Sequence, residues 1–107
     1  MPKKEIKFTI ELDEKNMPQS IEWEATDAGF NGKKPCNSMM IQLWDKDAQN
    51  SMHIDLWTQD MMVQHMNVHV FHNLMNIAGV YRRATGNAEL AGMIQQFAQQ
   101  FANQIKK

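Results

Sequence analysis

Two short segments near the start of the chain alternate strictly between apolar and polar residues. Residues 5–12 read EIKFTIEL, and residues 20–25 read SIEWEA. Because successive side chains of a strand point to opposite faces, this pattern predicts two half-buried β-strands. The connection between them contains Asn16 and Pro18, which favour a turn. The inward positions would be Ile6, Phe8, Ile10 and Leu12 in the first strand and Ile21, Trp23 and Ala25 in the second.

A second pair of alternating segments follows, SMMIQLWD at residues 38–45 and SMHIDLWT at residues 51–58. A polar connection around residues 46–50 separates them, and this arrangement predicts a β-hairpin. The expected register pairs Leu43 with Ile54. The inward positions would be Met39, Ile41 and Leu43 in the first strand and Met52, Ile54 and Leu56 in the second.

Residues 26–37, TDAGFNGKKPCN, contain two glycines and a proline and therefore predict a loop. The stretch GFNGKKP is only faintly similar to a phosphate-binding loop, because the required glycine and lysine spacing fails and Pro35 follows the lysines. Cys36 lies at the end of the loop. With no helix N-terminus or positioned base beside it, we expect an ordinary thiol rather than a nucleophile.

After residue 60 the apolar residues no longer recur at every second position but at every third or fourth, and this spacing predicts helices. Asp60 or Thr58 would cap the first helix, and Gly86 would end it in the left-handed conformation. Asn87 would cap a second helix, with Glu89 in its first turn. The first apolar stripe comprises Val63, Met66, Val70, Leu74, Ile77 and Tyr81. The second comprises Leu90, Ile94, Phe97, Phe101 and Ile105, flanked by Ala91, Ala98 and Ala102, which permit close approach to a neighbour.

Strands grouped before helices predict an α+β fold. We therefore expect residues 1–107 to form one domain, with a four-stranded antiparallel sheet followed by two C-terminal helices packed on one face.

Composition restricts the function classes without naming one. The 107 residues are 43% apolar and carry a net charge of −1, as in ordinary soluble proteins, so a nucleic-acid partner is not expected. The start of the chain lacks the apolar core of a signal peptide, and no run approaches the roughly 18 apolar residues of a membrane span. A lone cysteine fits a reducing compartment. We expect a cytoplasmic protein that does not insert into the membrane.

The stretch SMHIDLWTQDMMVQHM, residues 51–66, is the most tempting candidate for chemistry, because it gathers two aspartates and two histidines. The alternation places His53 and Asp55 on a sheet face, whereas Asp60 and His65 belong to the helix. General acid–base catalysis needs groups within mutual reach in a pocket that tunes their pKa values. We therefore expect this stretch to join sheet to helix and the protein not to be an enzyme.

His65, His69 and His72 recur at spacings of four and three, so they share one stripe of the first helix. Histidines at i and i+4 can chelate zinc. That stripe lies away from the apolar one, however, and no carboxylate lies one turn away to complete the shell. We expect these histidines to face water and expect no metal or cofactor. A small metal-binding protein remains a less favoured alternative.

The outer face of the hairpin is more informative. It carries Met40 and Trp44 from one strand and His53 and Trp57 from the other. In the expected register, Trp44 lies opposite His53. Met40 then lies opposite Trp57. Two tryptophans on a nominally solvent-facing surface predict a partner-binding site formed by these four residues. The alternative is that the sheet curls, or that the loop at residues 26–37 folds over this face within the monomer.

Four segments of the chain, residues 5–29, 38–45, 54–66 and 83–102, carry a family resemblance. Their most specific elements are Ile21–Trp23, Ala25–Asp27, Gly29, Leu43–Asp45, Ile54–Thr58, Asp60, Met61 and Arg83–Thr85. These segments resemble the GldC family of gliding-motility-associated proteins.

The resemblance implies a small cytoplasmic accessory protein of bacterial gliding motility that is not known to catalyse a reaction. It brings no catalytic residues. Its expected partners are a protein of the motility apparatus, a second copy of itself, or both. The order of elements is also similar to that of SecB-like export chaperones, which pack sheets together in oligomers. A chaperone that binds unfolded segments is therefore an alternative function, although it rests on fold analogy.

Overall fold

The computed structural model describes residues 2–106, which form five strands followed by two helices, so the predicted α+β fold is confirmed. The chain forms two compact units, one ending at Met61 and the other beginning at Met62. The first contains the strands and the second contains the helices. The strands are β1 (Ile6–Leu12), β2 (Pro18–Ala25), β3 (Lys34–Cys36), β4 (Ser38–Asp45) and β5 (Asn50–Trp57), and the helices are α1 (Val63–Thr85) and α2 (Ala88–Ile105).

The first three strands form an antiparallel sheet in the order β1-β2-β3. Ile21 lies at its centre, paired with Ile10 on one side and Cys36 on the other, and it is almost fully buried. The ends of β1 differ from the prediction, because Ile6 and Leu12 are more than half exposed. Burial on this face is therefore concentrated around Ile21.

The predicted single four-stranded sheet is wrong in one respect, because β4 and β5 form a separate two-stranded sheet. Residues 34–36, expected in a loop, instead add a short third strand to β2. At Asn37 the backbone carbonyl accepts a hydrogen bond from the Thr58 amide at 2.9 Å, and the Asn37 side chain accepts one from the Thr58 hydroxyl at 3.4 Å. These bonds tie the start of β4 to the residue that follows β5.

Helix α1 begins at Val63, so the predicted cap at Asp60 or Thr58 is wrong. Thr58 is buried and bonded to Asn37, and its carbonyl accepts a hydrogen bond from the Met61 amide at 3.1 Å, which closes a turn before the helix. Met62 occupies the cap position without a side-chain hydrogen bond. The end of α1 matches the prediction, since Gly86 adopts the left-handed conformation with φ 74°.

The link between the helices is held by short polar side chains. The Thr85 hydroxyl donates to the Tyr81 carbonyl at 2.8 Å and accepts from the Asn87 amide at 3.0 Å. Asn87 caps α2 as predicted, with its side chain accepting from the Leu90 amide at 3.0 Å. Glu89 lies in the first turn of α2, where its negative charge interacts favourably with the positive end of the helix dipole.

Alanines supply the buried positions of the two helices: Ala78 in α1, and Ala91, Ala98 and Ala102 in α2. The prediction that small side chains in α2 permit close approach is consistent with this burial. Larger residues of the predicted stripes are less covered than expected, with Val63, Ile77, Leu90 and Phe97 exposed. Within residues 2–106, no helix combines the length and apolarity needed to cross a membrane.

Candidate interaction surface

The turn of the hairpin determines its register. The Asp45 carboxylate accepts hydrogen bonds from the amides of Asp47 and Ala48 at 2.9 and 3.1 Å, and Gln49 adopts a left-handed conformation. Pairing therefore starts at Asp45 and Asn50, with four residues in the loop. The predicted pairing of Leu43 with Ile54 is wrong by two residues. The observed pairs include Leu43 with Met52, Ile41 with Ile54, Trp44 with Ser51, Gln42 with His53, Met40 with Asp55 and Ser38 with Trp57.

Each face of the hairpin presents a distinct set of side chains. Side chains opposite each other in an antiparallel pair share a face, and the faces alternate along each strand. The tryptophan face consists of Ser38, Met40, Gln42, Trp44, Ser51, His53, Asp55 and Trp57. The aliphatic face consists of Met39, Ile41, Leu43, Met52, Ile54 and Leu56, with Asp45 and Asn50 at its turn end.

The two tryptophans lie at opposite ends of the tryptophan face. Trp44 pairs with Ser51, six residues before Trp57, and six residues of antiparallel strand span about 20 Å. Trp44 is 64% exposed and Trp57 is 56% exposed. Met40 and His53 are diagonal rather than direct neighbours of the tryptophans, Met40 beside Trp57 and His53 beside Trp44. The face thus carries two separate apolar anchors instead of one continuous patch.

The loop after β2 packs against its own sheet. Phe30 meets Trp23 edge to face with 5.1 Å between ring centroids, and the Lys34 ammonium lies 5.3 Å from the centre of the Phe30 ring. Since Trp44 and Trp57 both remain more than half exposed, the alternative in which residues 26–37 cover the tryptophan face is wrong.

A histidine–aspartate pair occupies the middle of the tryptophan face. The Nδ1 atom of His53 is hydrogen-bonded to Oδ2 of Asp55, as expected for residues two apart on one strand face. The His53 side chain is about two thirds exposed, and that of Asp55 about one third. Water therefore reaches this pair, whereas acid–base catalysis benefits from a site that limits water and tunes pKa.

The three histidines of α1 differ in their environments. His65 and His72 are exposed, as predicted, but His69 is half-buried and its Nε2 atom is shielded with no hydrogen-bond partner among the described residues. The expectation that all three face water is therefore wrong for His69. Within residues 2–106, no group of three or more histidine, cysteine or acidic side chains is arranged to hold a metal ion.

Cys36 lies in β3 and is half-buried. Burial raises the pKa of its thiol, and a hydrogen bond with the Ser38 backbone opposes part of that rise. The neutral thiol, which is a poor nucleophile, is therefore favoured at neutral pH. The preceding GFNGKKP stretch leads into this strand and not into a helix whose amides could bind phosphate.

The aliphatic face holds the residues that the sequence pattern assigned wrongly. Met39 is buried at one end, but Leu43, Met52 and Ile54 are 59%, 57% and 50% exposed. All three were predicted to point inward. Alternation identifies which side chains share a face, but it carries no signal about whether another part of the molecule covers that face.

These features define a small α+β protein whose hairpin exposes apolar side chains on both faces. A family model described as gliding motility-associated protein GldC-like matches residues 18–107. The chain therefore belongs to the GldC-like family of gliding motility-associated proteins, and the resemblance drawn from the sequence is confirmed. Neither the curated proteins nor the solved structures contain a significant match to the chain.

Proposed function

We propose that this gliding-motility-associated protein is a non-enzymatic cytoplasmic accessory protein that binds a protein partner through its tryptophan face. The observation that carries this function is the exposure of Trp44 and Trp57 on a single strand-pair face. Tryptophan is strongly enriched among the residues that dominate binding energy at protein interfaces. Met40 lies diagonally beside Trp57, and His53 lies diagonally beside Trp44, so each adds contact area next to one tryptophan.

The spacing of the anchors favours a protein partner. About 20 Å separates Trp44 from Trp57 along the strands. Burial of a large apolar side chain is worth about 1.5–3 kcal/mol. Two such anchors, with the polar His53–Asp55 pair between them, suit a partner that covers the length of the hairpin.

The non-enzymatic part of this function is supported by the state of the candidate reactive groups. The His53–Asp55 pair is open to water, and burial favours the protonated form of the Cys36 thiol. The cytoplasmic location is supported by the single cysteine, which fits a reducing compartment. We propose no cofactor or metal for this activity.

The test compares tagged wild type with the Trp44→Ala/Trp57→Ala variant as baits in an extract of a gliding bacterium, with captured proteins quantified by mass spectrometry. We expect the variant to lose its specific partner by a hundredfold or more, since about 3–6 kcal/mol of apolar burial is removed. Circular dichroism confirms that the variant is folded. Equal recovery of the same partner by both baits would contradict the assignment of this face.

The matched control is Met93→Ala/Phe97→Ala, which removes two more than half-exposed apolar side chains from α2. We expect this control to keep the partner. If both variants lose a broad set of captured proteins alike, and wild type suppresses the aggregation of a model client, a chaperone-like binder of unfolded segments would replace the dedicated partner.

A further inference from the structure

The outer edge of the three-stranded sheet is a surface separate from the tryptophan face. Strand β1 lies at one end of the sheet order and, within residues 2–106, pairs with β2 alone. We propose that this edge pairs with the β1 edge of a second copy of the chain, antiparallel about a two-fold axis at Thr9. The resulting dimer would join two three-stranded sheets into one continuous sheet.

The backbone of β1 presents hydrogen-bonding groups at this edge. In an antiparallel pair, opposed residues alternate between those that exchange hydrogen bonds and those that do not. The Thr26 amide donates to the Glu5 carbonyl at 3.0 Å, so Glu5 and every second residue after it bond towards β2. Pro35 has no amide to donate and lies opposite Glu22. Glu22 therefore bonds with Thr9 on its other side, in agreement with this alternation.

The intervening residues of β1 point their amides and carbonyls away from the sheet. They are Ile6, Phe8, Ile10 and Leu12. The alternation continues past the register shift after Glu11, because the Asp13 amide donates to the Met17 carbonyl at 2.8 Å. When two such edges pair, four opposed pairs exchange two hydrogen bonds each, or about eight in total. A typical protein interface carries about ten direct hydrogen bonds, so backbone pairing supplies what a large apolar area would otherwise supply.

The side chains of β1 are complementary to themselves in this arrangement. With the axis at Thr9, Lys7 of each copy lies opposite Glu11 of the other, which gives one pair of opposite charges on each side of the axis. Within residues 2–106, neither Lys7 nor Glu11 forms an ion pair with another side chain. Opposite charges that face each other across two strands stabilise the pairing.

The apolar side chains of β1 are matched by the same register. Phe8 of one copy lies opposite Ile10 of the other, and Ile6 lies opposite Leu12. Ile6 and Leu12 were predicted to point inward, yet they are 66% and 53% exposed. The pairing places each of them beside an apolar neighbour, which accounts for apolar residues at the exposed ends of this strand.

Other arrangements of the same two edges match less well. A parallel pair in register would place Lys7 against Lys7 and Glu11 against Glu11. An antiparallel pair with its axis at Phe8 would oppose Glu5 to Glu11. Moving the axis to Ile10 would leave the start of each strand without a partner strand. The edge is thus complementary to itself in one register, which favours a second copy over an unrelated strand.

Acidic side chains near the edge limit the affinity. Glu24 lies opposite Lys7 on β2 and competes for its charge, and the register brings Glu5 towards Asp13 just beyond the ends of the strands. The Asp13 carboxylate is engaged by backbone amides of the turn that follows. We therefore expect a weak dimer with a dissociation constant of about 10–100 µM.

Amide hydrogen exchange, followed by NMR, tests the pairing on the unmodified chain. The amides of Phe8 and Ile10 point outward, whereas those of Lys7 and Thr9 bond to β2 and should be protected at every concentration. Samples at about 20 µM to 1 mM span the expected dissociation. We expect exchange at Phe8 and Ile10 to slow at least threefold over this range, together with a monomer-to-dimer shift in sedimentation.

Charge reversal provides the second arm. Lys7→Glu and Glu11→Lys each place like charges opposite each other in a homodimer, so each variant alone should stay monomeric where wild type dimerises. An equimolar mixture of the two variants restores both opposite-charge pairs and should form a heterodimer. Lys46→Glu, the same charge change at an exposed position of the hairpin loop, is the matched control and should dimerise like wild type.

The outcomes separate this proposal from the proposed function. Trp44→Ala/Trp57→Ala should dimerise like wild type, since those side chains belong to the hairpin and not to β1. A wild type that stays monomeric would overturn the dimer, as would a dimer that both charge variants retain or a mixture without heterodimer. Strong protection of the outward amides in a monomeric sample would also overturn it, because the same chain would then cover the edge. If a charge variant does not fold, the exchange experiment decides by itself.

Discussion

Single polar side chains determine where several elements begin and end. The Asp13 carboxylate accepts hydrogen bonds from the amides of Lys15 and Met17 in the connection between β1 and β2, and Asp45 acts in the same way in the hairpin. Short polar side chains of this kind accept hydrogen bonds from backbone amides that have no partner in a neighbouring strand. Asn87 performs this role at the start of α2. Each of these residues acts locally, so its effect can be tested one side chain at a time.

Replacement of Asn87 by alanine removes the acceptor for the Leu90 amide at the N-terminus of α2. We expect the free energy of unfolding to fall by about 1 kcal/mol, the usual cost of losing such a cap. Urea denaturation followed by circular dichroism measures it. Asn76→Ala, at an exposed position inside α1, is the matched control and should be neutral or slightly stabilising. Equal destabilisation by both substitutions would contradict the capping role.

At the scale of the elements, the helical pair depends on small side chains. The buried positions in α1 and α2 are all alanines, and Ala98 is fully buried. Alanine at these positions lets backbones approach closely, and the cost is that little apolar area is buried by each side chain. Larger side chains of α2 such as Phe97 are more than half exposed.

Ala98→Leu should destabilise the protein by about 1–3 kcal/mol, because the added methylene groups have no space in a closely packed contact. Ala84→Leu makes the same change at an exposed position of α1 and should alter stability little. Urea unfolding of both variants gives the comparison. If Ala98→Leu proves as stable as wild type, Ala98 does not lie in a tight contact.

The elements also show how far sequence patterns extend. The alternation of apolar and polar residues was sufficient to predict β1 and β4, whose observed bounds lie within one residue of the predicted ones. It could not reveal β3, because three residues that include Pro35 carry too short a pattern and pair only when β2 is already in place. The start of α1 was misplaced because Thr58 bonds to Asn37, twenty-one residues away, and that distant contact is invisible locally.

At the scale of the whole molecule, the hairpin offers two opposite surfaces with different chemistry. The tryptophan face combines aromatic anchors with an exposed His53–Asp55 pair, whereas the aliphatic face is apolar except for Asp45 and Asn50 at its turn end. An isolated two-stranded hairpin is only marginally stable in water. A hairpin of this kind gains stability when a further layer covers one of its faces.

The sequence by itself determined the class of fold, the strands that alternate, the end of α1 at Gly86, the cap at Asn87 and the family. These features depend on residues close together in the chain or on whole segments that resemble a family. The tertiary structure decided the division into two sheets, the hairpin register and the exposure of Leu43, Met52 and Ile54. Each of those outcomes depends on which distant groups meet, because an alternating pattern assigns a side chain to a face without specifying what, if anything, covers it.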